Sequence, residues 1–147
     1  MYAPHTVTVY NVIQSVNTST FVDTETAYIT ILRGVFFDAA KASNVRQSGM
    51  ESADSVDLFI PLSVTAVDSQ GNAKTYASPD AFMAAQDKSN LWTLSRAGDG
   101  VETFFVKGEL VTTPTLARAS DESYAVTKVD LKDYGRPPMR HWEVGGA

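Results

Sequence analysis

The sequence predicts an all-β fold: a small β-barrel or sandwich of about six to seven strands, with one short helix and a long inserted loop. Three observations carry that prediction. The run from Ala27 to Asp38 is the most apolar in the chain, and Tyr28, Ile29, Ile31, Leu32, Val35, Phe36 and Phe37 load both of its faces with strand-favouring side chains. Val56, Leu58, Ile60, Leu62 and Val64 alternate with Asp57, Phe59, Pro61 and Ser63, the period of a strand with one face on a core. Gly34 and Gly108 each interrupt an otherwise strong strand, and a sheet that coils into a small barrel needs such bends.

In chain order, the alternation across His5–Ile13 predicts a first strand, and the Ser, Thr and Asn of 15–23 predict a surface loop. The central strand spans roughly Thr26–Asp38, with a bulge or bend at Gly34. From 39 to 55 the chain holds small and polar residues without a period, which predicts a long loop, either solvated or ordered by a partner. Pro61 cannot donate to a ladder, so its strand lies at an edge or carries a bulge there. Asp68-Ser69-Gln70-Gly71-Asn72 reads as a turn. Ser78-Pro79-Asp80 supplies a cap, a first-turn proline and an acid at the positive end of a short helix that should close near Asp87-Lys88. Leu91–Leu94 suggests a short buried strand or turn, and Arg96–Gly100 a tight connection. Strands follow at Glu102–Thr113 and Tyr124–Leu131, with a polar connection from Pro114 to Glu122 between them. After Pro137-Pro138, the segment 135–147 forms a C-terminal arm that could add one short strand. The whole of 1–147 reads as one domain, without internal repeat.

The totals narrow the chemistry. A net charge of -5, with scattered Lys and Arg, argues against a nucleic-acid binder built on a basic face. The chain has no cysteine, which excludes disulfides, thiolate metal sites and cysteine nucleophiles. No apolar run approaches the roughly 20 residues needed to span a bilayer, so no membrane is expected. The two histidines, His5 and His141, lie near opposite ends of the chain. No Gly-x-Ser-x-Gly elbow and no phosphate-cradling glycine loop occurs. Catalytic, cofactor and metal residues are therefore all assigned as none. Met139-Arg140-His141-Trp142 is more suggestive, because Trp and Arg are frequent interface anchors. Arg140, His141 and Trp142 are the candidate subunit-interface residues; alternatively, Trp142 closes one end of the barrel while Arg140 faces water.

Several pieces resemble proteins of the head–tail region of siphophages and prophages. These are His5-Thr6-Val7-Thr8-Val9-Tyr10-Asn11, Thr30–Phe37, Val129–Gly135 and the ending Met139-Arg140-His141-Trp142-Glu143-Val144-Gly145-Gly146. Together they are most similar to a head-closure, or stopper, protein of the phage neck. That resemblance implies a structural virion protein at the head–tail interface, assembled in the host cytoplasm. It implies a homo-oligomeric ring of twelve or six copies, partnered by portal or adaptor and by tail or terminator proteins, around a DNA channel. It also implies that the 39–55 loop reaches the lumen and gates DNA, with Lys41, Ser43, Asn44, Arg46, Gln47, Glu51 and Asp54 as its candidate residues. Glu51 and Asp54 offset Lys41 and Arg46, so contact with DNA would be steric and transient. Two alternatives stay open: a tail-terminator or tail-completion ring subunit, and a non-phage β-barrel that binds a small ligand.

Overall fold

A computed structural model describes residues 3–17, 19–42, 45, 46, 49, 50, 53–96 and 100–147. Its strands in chain order are β1 (His5–Asn17), β2 (Val22–Ala42), β3 (Val45–Arg46), β4 (Gly49–Met50), β5 (Ala53–Pro61), β6 (Thr65–Val67), β7 (Thr75–Tyr76), β8 (Leu91–Trp92), β9 (Glu102–Lys107), β10 (Ser123–Lys132) and β11 (His141–Gly146). Two short helices, α1 (Pro79–Ala84) and α2 (Pro114–Arg118), and a 3-10 turn at Pro137–Met139 complete the described chain. The fold is all-β, as the apolar runs predict.

The main sheet closes on itself. Its order is β1-β9-β10-β11-β5-β2, and β2 pairs back onto β1, so every main neighbour is antiparallel and the wall is a six-stranded barrel. The apolar run at 27–38 is the long strand of that wall. On one edge β2 pairs with β1 from His5↔Val35 to Asn17↔Val22. On the other it pairs with β6 through Ile31–Arg33 and with β5 through Phe36–Ala42. Neighbours on both edges at Ile31–Arg33, and burial of Thr30, Ile31, Leu32, Val35 and Phe37 on alternating faces, explain why the run is apolar on both sides. Gly34 sits at the expected bulge: His5 faces Val35 while Thr6 faces Arg33, and Gly34 takes the left-handed φ of +89° that glycine alone adopts cheaply.

Val7, Val9, Leu32, Val35, Phe37, Leu58, Ile60, Phe105, Trp142 and Val144 fill the barrel. The crossover from β5 to β9 adds Trp92 and Leu94 to that core. A buried polar knot fixes the crossover in place. The Asn11 amide donates to the Thr93 carbonyl (2.8 Å) and the Thr103 hydroxyl (2.9 Å), and its oxygen accepts from the Thr93 N–H (3.2 Å). Such a knot costs little when every member is paired, and it specifies one arrangement of the chain. A second cluster lies on the outer face of the β1–β9 pair, where Tyr10, Val12, Phe104 and Val106 pack with Ala117 of α2.

Several expectations are corrected. The strand predicted for Glu102–Thr113 stops at Lys107, because Gly108 (φ +82°) turns the chain out of the sheet. The following residues lie across β1, held by the Thr8 hydroxyl on Gly108 and Leu110 and by the Tyr10 hydroxyl on Leu110 and Thr112. The polar connection at 114–122 contains α2, capped by Thr113 and opened by Pro114. The first helix ends at Ala84, short of Asp87-Lys88. The predicted loop at 15–23 is the end of a hairpin, with Ser15↔Thr24, Val16↔Asp23 and Asn17↔Val22 in register. The long loop expected at 39–55 is strand at its described ends: Ala39, Ala40, Lys41 and Ala42 pair with Val56, Ser55, Asp54 and Ala53, and β3 pairs with β4. A period of two arises where one face is buried on a core, and a ribbon paired with nothing else need not carry one. The C-terminal segment adds the short strand its sequence allowed, β11, which is built into the wall between β10 and β5.

That last placement explains Gly146. A Cβ there would lie 2.8 Å from Phe105 Cζ and 3.0 Å from Tyr124 Cβ, inside any real contact. Gly146→Ala is expected to destabilise the fold by about 1–3 kcal/mol, the usual range for overpacking, as read from the urea midpoint; an unchanged midpoint would remove β11 from the wall.

Candidate functional site

The interface residues expected from the sequence divide between the two sides of β11. Trp142 is 7% exposed and packs among Tyr76 (ring centroids 4.6 Å apart) and Trp92 (5.6 Å), closing one end of the barrel. His141 and Glu143 point the other way. The His141 ring meets the Met139 carbonyl (2.7 Å) and the Glu143 carboxylate (3.1 Å), while Arg140 approaches Asp133 (3.6 Å).

On that outer face the structure brings together the two histidines of the chain. The rings run His5–Phe36 (5.7 Å), Phe36–Phe59 (6.0 Å) and Phe59–His141 (5.8 Å) across β1, β2, β5 and β11. Two phenyl rings separate the imidazoles, so they do not share a proton or a ligand. Among the described residues, no group of three or more His, Asp or Glu side chains is placed to hold a metal ion.

For the expected channel residues, backbone pairing sets Lys41 of β2 opposite Asp54 of β5, and Arg46 of β3 opposite Gly49 of β4. Ser43, Asn44, Gln47 and Glu51 lie outside the described residues.

Two features went unread in the sequence. The first is a groove of about 310 Å³ beside the barrel end, lined by Leu62, Val64, Ala66, Lys74, Tyr76, Trp92 and Trp142. A second groove, of about 360 Å³, adjoins it at Val64 and includes Arg33 and Thr65. Here β5 breaks at Pro61, where the Val64 N–H bonds back to the Pro61 carbonyl, and the chain resumes along β2 as β6. Lys74 is only 8% exposed, and its ammonium donates to the Ile29 carbonyl (3.1 Å) on the stretch of β2 edge that β6 leaves uncovered. Burial pushes the Lys74 amine down to about 8, and the nearby Asp68 carboxylate opposes that shift. No motif announces this site, because its members come from four separate segments.

The second feature is the tip of the β1–β2 hairpin. Phe21 is 84% exposed there and takes a φ of +55°, the left-handed region that favours glycine or asparagine. A bulky side chain in that conformation costs of order 1–3 kcal/mol. Arg118 of α2 braces the hairpin's base, reaching Glu25 (3.3 Å) and Glu102 (3.0 Å) while its guanidinium lies 5.2 Å from the Phe104 ring. An aromatic residue inside a Ser/Thr-rich turn was the available sequence signal.

The match to a family model runs over residues 2–147, described as a family of unknown function, DUF6751. The chain belongs to the DUF6751 family. No curated protein and no solved structure matches it. Among the described residues, no helix of this DUF6751 member is long and apolar enough to cross a membrane.

The Lys74 amine gives a pH test. It is protonated below about pH 10 in the unfolded chain but loses its proton near 8 when folded, so between these values the unfolded state binds more protons. Stability should therefore rise from pH 8 to 10, by roughly 1–3 kcal/mol. Lys74→Met should flatten that rise in denaturant titrations; an equal rise in the variant would place its origin elsewhere.

Proposed function

We propose that this DUF6751 protein is a structural subunit of the phage neck, most like a head-closure protein, that forms a ring between portal or adaptor and tail and helps retain DNA. One observation supports the reading above others: two β-ribbons leave a closed barrel. β9 covers β1 only through Val12, so the pairs from Ile13↔Thr26 to Asn17↔Val22 hang on each other alone. β11 covers β5 no further than Val56, so Ala40↔Ser55, Lys41↔Asp54 and Ala42↔Ala53 form a second ribbon. A barrel has no edges, but each ribbon presents two rows of backbone donors and acceptors, which suits contact with other chains. The net charge of -5 fits a channel wall past which DNA slides without sticking. A tail-terminator ring would use the same architecture, and the two differ in which neighbour the ring binds.

A different class of function also has an observation in its favour. The 310 Å³ groove, walled by Tyr76, Trp92 and Trp142 with one buried amine, reaches the lower end of the size range of small-ligand clefts.

The ring reading is tested in virions. The protein should appear by mass spectrometry in purified particles at a fixed ratio to the portal, and deleting its gene should leave heads and tails unjoined. Its absence from particles would refute the reading. The gating role has its own test: 43–52 replaced by Asn-Gly, which suits a two-residue turn closed by the Ala42↔Ala53 pair. The variant should fold and join the particle yet lose packaged DNA from tailless heads; full retention would end the gating claim.

A further inference from the structure

The hairpin tip and the barrel-end groove have opposite characters. Phe21 stands 84% exposed in a strained backbone conformation, and neither property stabilises its own chain. The groove wall offers Leu62, Val64, Tyr76 and Trp142, at a volume where clefts begin to admit small aromatic groups. Charge follows the same division. The hairpin segment 14–26 contains Asp23 and Glu25 with no Lys, Arg or His. The two adjoining grooves are lined by Arg33 and Lys74 with no carboxylate. Glu109 and Asp68 offset these two cations, and Arg118 offsets Glu25, so the sign difference is slight and the fit is carried by the exposed ring and the aromatic-walled groove.

We propose that Phe21 of one subunit inserts into the groove of Leu62, Val64, Tyr76 and Trp142 on a second copy of the chain. The hairpin cannot serve its own groove. Leu32, which pairs with Ala66 in the groove wall, is ten residues along β2 from Val22, or about 33 Å of strand. A knob and a hole on different patches of one surface make a head-to-tail contact, and such contacts close into rings when the rotation between copies permits. The inference rests on the ring reading and supplies its joint.

Size-exclusion chromatography with light scattering tests it. The wild type should be oligomeric, and Phe21→Ala should weaken association at least about 30-fold, the loss typical of a central aromatic anchor. Leu62→Glu, at a half-exposed position, should do the same from the other side. Both variants should keep the wild-type circular dichroism, and their melting midpoints should match that of dilute wild type, where association is lost. Mixed in equal amounts, they should form heterodimers, because one brings an intact knob and the other an intact hole. A photoreactive p-benzoylphenylalanine at position 21 should cross-link to the 62–66 or 74–76 segment of another copy. If Phe21→Ala keeps the wild-type oligomer, or the cross-link lands elsewhere, the joint is wrong while the ring reading stands. A wild type that stays monomeric at every concentration overturns the joint, and the ring reading then stands or falls on the protein's presence in particles.

Discussion

The structure depends on one long strand that serves two parts of the wall in turn: it pairs with β1 up to Val35 and with β5 from Phe36, and it is flanked on both edges at Ile31–Arg33, where β6 joins it. β2 carries the register with β1 on one side and with β5 and β6 on the other, and through these pairings it closes the barrel. The bulge at Gly34 lets a single strand serve two parts of the wall, because it re-aims the chain between the section facing β6 and the section facing β5. The interior packing of Leu32, Val35 and Phe37 follows from that path. So does the barrel-end groove, which exists because β6 rejoins β2 after the break at Pro61.

The same strand divides the molecule into scaffold and projecting parts. Its middle is locked in the wall, and its two ends run out into the hairpin and the second ribbon. A closed wall has no free edge, so strand-edge donors and acceptors are left at the ends that leave it. The Arg118 brace at the hairpin's base and the Asn11 knot inside the barrel hold the rigid part against which those ends are presented. Exposure and strain then coincide at Phe21, at the hairpin tip.

The barrel was legible where burial imposes a pattern. The two-faced apolar run at 27–38, the period-two segment from Val56 and the glycine at 34 each have a direct cause in the wall. The cap at Ser78 was equally readable, since its hydroxyl accepts from the Ala81 N–H at 3.3 Å. What escaped was whatever lacks one-sided burial or a local signature. The described ribbon residues 15–17, 22–24, 39–42 and 53–55 read as loops because their pairing is in the backbone, which composition does not report. α2 was missed because five residues hold too short an apolar stripe to show a period. The groove and the His5–Phe36–Phe59–His141 face arise from register between distant strands, which no single segment encodes. Trp142 was read as either interface anchor or barrel plug; its contacts with Tyr76 and Trp92 bury it at the edge of the groove, which is compatible with both.

Residue-resolved hydrogen exchange of the free protein tests the dependence on β2 most directly. Amides from Ile31 to Arg33 should exchange slowest, through global unfolding alone, while those of the hairpin from Ser15 to Thr24 should exchange orders of magnitude faster by local opening. If the Ile31–Arg33 amides exchange as fast as the hairpin, β2 is not the strand that holds the barrel closed.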